Sequence, residues 1–292
     1  MNVVLQLAGR NIRVYLRNRM SVFFSFLSVL IIIGLYALFL GKVQVDGIRS
    51  QVGEIHGIGP LVSSWIVAGL LAINAVTVSL GALGAMVYDV EQKRFTDFVV
   101  APVKRSAVVA SYLVSALVIG LLFTLIALAA GEAYIVATGG QVLGLLAALR
   151  VVGILALAVV SSSSIMYLLV SFLRSGSAFG VLSTLLGTLI GFLTGVYVPL
   201  GILPQAVQRF VLFVPFSYSA AMLRQVFCEA PLGVVFHGAP AQASAAYVRM
   251  YGIRLFWGNT EVTVPVMLLI LAAVTVVFLL LSAVKLRTYR KG

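Results

Sequence analysis

LVSSWIVAGLLAINAVTVSLGALGAMV, residues 61–87, contains no charged side chain and no proline. A helix needs about 20 apolar residues to cross hydrocarbon, and this run exceeds that. Five further apolar runs lie at about 21–40, 107–130, 151–173, 177–198 and 262–284. Hydrophobic residues make up 62% of the 292 residues and charged residues 10%. Soluble domains carry roughly 45–50% and about 25%, so a water-soluble fold could not hide the surplus. The expectation is an all-α integral membrane protein, one transmembrane domain over 1–292 with six transmembrane helices and no separate soluble domain.

The net charge of +12 reads as basic residues flanking spans, not as a nucleic-acid surface. Residues 3–19 place Arg10, Arg13, Arg17 and Arg19 among Val3, Val4, Leu5, Leu7, Ile12, Val14 and Leu16. That suits an N-terminal amphipathic interfacial helix on the inner membrane surface. The run after it is long enough to span and has no small-residue cleavage site, so it reads as an uncleaved span. Arg150 and Arg174 bracket the fourth run. Arg150 at the bilayer centre would cost about 2.5–3.5 kcal/mol, so the span is expected to start after it.

The basic residues also set orientation. The inner set is the four N-terminal arginines, Lys93, Arg94, Lys104, Arg105, Arg174 and the tail Lys285, Arg287, Arg290 and Lys291. The outer set, thinly spread, is Lys42, Arg49, Arg150, Arg209, Arg224, Arg249 and Arg254. Six spans then put both termini in the cytoplasm. The stretch 199–261 is too long for a turn. Pro199, Pro204 and Pro215 break its first part into pieces below spanning length, which reads as an outer re-entrant hairpin after the fifth span. The remainder, about 225–261, reads as an outer segment with one or two short helices.

Several chemistries lack their residues. The phosphate-cradling pattern G-x-x-x-x-G-K-[ST] is absent, the only Gly-Lys pair being Gly41-Lys42 followed by Val43. No charge is expected deep within a span, which disfavours the rival reading of an ion-coupled secondary transporter. A membrane enzyme would need clustered carboxylates or a nucleophile–base set, and neither is evident. Cys228 is the single cysteine, so no intrachain disulfide is available, and His56 and His237 have no ligand-spaced partners for a metal.

Within the spans, Gly187, Gly191 and Gly195 repeat every fourth residue. Such a stripe lets another backbone approach, either inside the bundle or across a dimer. Ser161 to Ser164 and Asn74 sit mid-span and serve helix packing or line a substrate pathway, with Asn74, Ser161 and Ser164 as the candidate pathway residues. The loop DVEQKRFTDFVVAPVKR, Asp89–Arg105, carries more hydrophobes than a solvated loop needs: Phe95, Phe98, Val99 and Val100. An amphipathic segment with an exposed aromatic edge implies a docking surface.

This loop resembles the cytoplasmic connection of the type-two ABC exporter permeases. That family shows a paired-acid pattern, an apolar patch and a small residue-Pro-Val. Asp89 and Glu91 stand at the paired acids, Asp97-Phe98 at an Asp-Phe seen in some members, and Ala101-Pro102-Val103 at the close. Lys93-Arg94 stands where many members have Gly-Thr. FLTGVYVPLGILPQAVQRFVLFVPFSYSAAMLRQ, residues 192–225, is similar to the family's Gly-rich span end, Leu-Pro, short helix and Pro-Phe-Ser-Tyr helix.

The resemblance implies a permease of an ATP-driven exporter in the plasma membrane, moving a drug, lipid or peptide by alternating access. It implies two ATP-binding cassette subunits and a second permease copy or homologue as partners. ATP and Mg would bind the partner ATPase, with no cofactor on this chain. Its ATPase-coupling residues would be Asp89, Glu91, Lys93, Arg94, Phe95, Asp97, Phe98 and Pro102, with the hairpin at Pro199, Pro204 and Pro215 capping the outer end.

Overall fold

The computed structural model describes residues 3–52, 57–94 and 103–288. Helix α1 is Val3–Arg17. After Asn18, α2 (Arg19–Leu35) runs through a π turn at Tyr36–Leu40 into α3 (Gly41–Val52). Four long helices follow: α4 (Ile58–Glu91), α5 (Arg105–Ala137), α6 (Leu145–Val170) and α7 (Gly176–Leu193). A 3-10 turn at Leu200–Ile202 leads to α8 (Gln205–Val211) and α9 (Pro215–Val235). Then come α10 (Ala241–Met250), a short antiparallel pair β1 (Phe256–Trp257) and β2 (Thr260–Glu261), and α11 (Val264–Thr288).

Helices α4, α5, α6, α7 and α11 are each long and apolar enough to cross a membrane. The pair α8–α9, bent by 88°, adds a sixth if taken as one broken span. The chain is therefore an all-α, multi-pass membrane protein. The run expected at 21–40 is helical throughout, but its regular part, α2, is 17 residues long before the π turn interrupts it. There the Gly41 N–H bonds to the Tyr36 carbonyl, and a Cβ on Gly41 would strike that oxygen.

Helix α4 is the central post. In its most apolar 18-residue stretch 89% is buried, against 17% in α7 and α11. A helix apolar on every side must be packed on every side, and α5, α6, α7 and α9 surround it. The core runs from Leu61 through Trp65, Leu71 and Leu83 on α4 to Tyr112 and Ile119 on α5 and Leu155 and Met166 on α6.

Two expected boundaries are wrong in an informative way. The fifth span stops at Leu193, not at 198, because Gly195 adopts φ +68°. The Val196 N–H bonds back to Gly191 O at 2.8 Å and the Gly195 N–H to Phe192 O at 3.0 Å, the paired closure of a left-handed helix stop. The second error is the outer segment, expected from about 225. Pro215 does not break a helix but begins one, at a position where its missing N–H costs nothing. α9 runs from there to Val235, buried from Phe216 to Arg224 and more open from Glu229 on.

Helices α7 and α9 lie end to end alongside α4. Phe179 near the start of α7 faces Gly84, and Val196 just past its end faces Gly69. Arg224 of α9 also faces Gly69, and Val234 and Val235 reach Gly57. Ser217 Oγ joins the two pieces by donating to Leu193 O at 2.9 Å. Together they accompany one long helix that neither covers alone.

Arg150 also departs from expectation. It lies within α6, on an exposed side. Apolar residues of the same helix, Leu145, Leu146 and Leu149, come before it, so Arg150 follows an apolar first turn and does not mark the helix start.

Candidate coupling site

The end of α4 gathers three other helices. Asp89 is 4% exposed, two residues before the last residue of α4, Glu91. Its carboxylate receives the Arg10 guanidinium of α1 as a fork, Nη1 to Oδ2 at 2.5 Å and Nη2 to Oδ1 at 3.0 Å. Tyr112 of α5 donates its hydroxyl to Oδ2 at 2.6 Å. Arg94 Nη1 stands 3.9 Å from Oδ1. A buried carboxylate is costly unless paired and hydrogen-bonded, and here a two-pronged guanidinium and a phenol supply both. The Asp89 hydrogen bond raises the Arg10 pKa beyond its ordinary value. α1 is thereby fastened to the end of α4, with Ala8, Asn11 and Tyr15 buried on the same side.

Glu91, exposed, does something the sequence did not suggest. Its Oε1 accepts the backbone N–H of Gly176, the first residue of α7, at 3.0 Å. Helix N-termini leave N–H groups without partners and carry partial positive charge. Ser175 Oγ satisfies a second one, from Ala178, at 3.2 Å.

Lys93 stops α4. It takes φ +59°, the only non-glycine residue at positive φ among those described, with its N–H bonded to Val90 O at 3.1 Å. Lys93 and Arg94 are exposed. Phe95, Asp97, Phe98 and Pro102 lie outside the described residues.

The other nominated residues separate. Gly187 meets nothing within 4 Å of an added Cβ, whereas Gly191 is packed by the Tyr197 ring. Gly195 is past the helix end, so the three glycines do not form one helical stripe. Ser163 Oγ donates to Ser79 Oγ at 3.1 Å and Ser164 Oγ to Ser161 O at 2.7 Å. Asn74, Ser161 and Ser164 are buried in the bundle interior, and they line neither the cleft that holds Arg150 and Glu229 nor the one that holds Arg49 and Glu132. Pro199, Pro204 and Pro215 each precede or begin a helical turn.

Sequence reasoning also misplaced Arg224 and Cys228. Arg224 is 1% exposed, inside α9, not in an outer loop. It is a charge buried mid-helix in a stretch that the sequence left outside the spans. Arg224 Nη2 donates to Gly195 O at 3.1 Å and Nη1 to Gly252 O at 3.5 Å, and its guanidinium lies 4.8 Å from the Trp65 ring centre. Carbonyls and an aromatic face replace water around the charge. The neighbouring Cys228 is fully buried.

A family model described as ABC-2 type transporter matches residues 2–228. The chain belongs to that family. No curated protein matches it. The match spans the Arg10–Asp89 tie, the 89–105 loop and Arg224, and leaves α10, the β hairpin and α11 beyond it. As an ABC-2 type transporter, the chain is the transport membrane subunit and not the catalytic one. Membership implies partnership with ATP-binding cassette subunits.

Proposed function

We propose that this ABC-2 chain is the permease of an ATP-driven exporter in the plasma membrane, with both termini cytoplasmic. It pairs with a second permease copy or homologue and with two ATP-binding subunits, which hold ATP and Mg. Its cargo is a hydrophobic or amphiphilic molecule: a drug, lipid or peptide. The α8–α9 bend forms the outer re-entrant hairpin, and α1 lies along the inner membrane surface.

One observation supports this most: Asp89 and Glu91 bind α1, α5 and α7 to the last turn of α4, where the 89–105 segment begins. A force applied to that loop by a docked ATPase reaches four helices at once. Phe95, Phe98 and Pro102 are the proposed apolar contacts, and Asp97, Lys93 and Arg94 the charged ones. ATP-driven closure of the ATPase pair then favours one access state by binding it more tightly.

The test is reconstitution with an ATP-binding subunit from a neighbouring gene. ATP-dependent accumulation of an amphiphile inside inside-out vesicles is expected, and the chain alone should hydrolyse no ATP. Transport driven by an ion gradient without any ATPase would overturn the reading.

A further inference from the structure

A cleft of about 1290 Å³ opens between α6, α9, α10 and α11. It lies at the N-terminal ends of two spans. Arg150 is in the second turn of α6, and Val264 is the first residue of α11. Ile154 and Leu268, one turn further along each helix, also line it. Its charged lining residues Arg150, Glu229 and Arg254 are exposed, whereas apolar ones such as Met222 of α9 are buried. This is the profile of a membrane–water boundary, where a headgroup would sit above its chains.

Four charged residues line the cleft. Arg254 and Glu261 pair with each other at 3.3 Å. Among the described residues, Arg150 and Glu229 have no hydrogen bond or ion pair, with each other or with anything else. The cleft therefore presents one unspent cation and one unspent anion, on different helices. Gln225, also in its lining, has its side-chain nitrogen buried without an acceptor.

We propose that this cleft holds a zwitterionic phospholipid. Its phosphate sits on Arg150, with Gln225 as a second donor. Its ammonium sits on Glu229, and an acyl chain follows the seam between α6 and α11. An anionic lipid would satisfy Arg150 but meet Glu229 with like charge. A fatty acid would leave Glu229 unpaired, and an uncharged lipid would leave both.

The test is native mass spectrometry of the purified, delipidated full chain. It is titrated with phosphatidylethanolamine or phosphatidylglycerol of identical acyl chains. The parent should retain phosphatidylethanolamine in preference. Arg150→Gln should weaken both lipids by about tenfold, the scale of one charge-assisted hydrogen bond, and Arg150→Lys should restore much of that. Glu229→Gln should weaken phosphatidylethanolamine and strengthen phosphatidylglycerol, erasing the preference. Thermal stability in lipid-free detergent checks that each variant is folded. Lipid retention unchanged by either substitution, or a parent that prefers phosphatidylglycerol, overturns the proposal. So does lipid retention that persists in variants whose transport of an amphiphile collapses, because the cleft would then be a cargo site.

Discussion

Glu91 Oε1 accepts the backbone N–H of Gly176 at 3.0 Å, a bond across 85 positions of sequence. It holds the end of α4 against the start of α7. The approach is close: a Cβ on Gly176 would stand 2.7 Å from Tyr88 Cε1 and 3.1 Å from Glu91 Oε2. α4 therefore cannot shift along its axis without either dragging α7 or surrendering this bond. With Arg10 holding Asp89 two residues earlier, the same turn also commands α1.

The Glu91 bond separates coupling from stability. It is exposed, so Glu91→Ala should cost about 1 kcal/mol or less, as for other helix caps. Glu91→Gln keeps an acceptor and should stay near the parent in both respects. Transport per ATP hydrolysed should fall in the alanine variant far more than its melting temperature does. An alanine variant with normal transport per ATP would remove the bond from the coupling path.

Lys93 gives a second test, at the point where α4 stops. The left-handed conformation costs an ordinary residue about 1–2 kcal/mol, and glycine escapes that penalty but loses about 0.5–1 kcal/mol in chain entropy. Lys93→Gly should leave melting unchanged or slightly raised. Lys93→Val, β-branched and intolerant of positive φ, should lower stability by about 1 kcal/mol or more. Equal melting of the two variants would mean that the turn is not held at φ +59°. The positive φ suits the glycine that many similar loops carry at this position, and the lysine here takes it at a cost.

The sequence carried the architecture because apolar length is a one-dimensional property. α4 could be read from residues 61–87 alone, and the paired acids at Asp89 and Glu91 stand in its last turn. What failed was whatever depends on a partner far along the chain. Gly191 and Gly195 fit a packing stripe by spacing, yet Gly195 is a helix stop because its φ is positive. Pro215 looked like a breaker and is a starter. Arg224 looked like a loop charge because its solvating groups, Trp65, Gly195 and Gly252, come from three other places. Nothing adjacent to Glu91 points to Gly176.

Topology needs a probe other than Cys228, whose side chain is fully buried. A membrane-impermeant thiol reagent should leave it unlabelled in native protein on either side and label it after denaturation. Ala246, exposed on α10, is a better reporter. In a Cys228→Ala background, Ala246→Cys should label in intact cells. Labelling only after the membrane is opened would reverse the proposed orientation.

Arg224 is the strongest test of how α7, α9 and the segment after α10 are held together. Its side chain meets the end of α7 at Gly195, the segment after α10 at Gly252, and α4 at Trp65. Gly195 and Gly252 both have positive φ, and a Cβ on either would press Leu200, at 2.7 and 2.6 Å. Three chain segments are thus fitted to one guanidinium. Arg224→Ala leaves two carbonyls without their donor and opens a void, so a loss of about 3 kcal/mol or more is expected from those terms together. Arg224→Lys keeps the charge but offers a compact ammonium in place of a flat fork. It should recover little, because one ammonium is poorly shaped to reach both carbonyls while covering the Trp65 face. Arg224→Met, which restores apolar contact with Trp65 but not the donors, should fall between alanine and the parent. Melting in detergent and protease sensitivity of the segment 236–262 report the outcome. If lysine matched arginine, the charge alone would matter, and the claim that the fork aligns α7, α9 and the segment after α10 would fail.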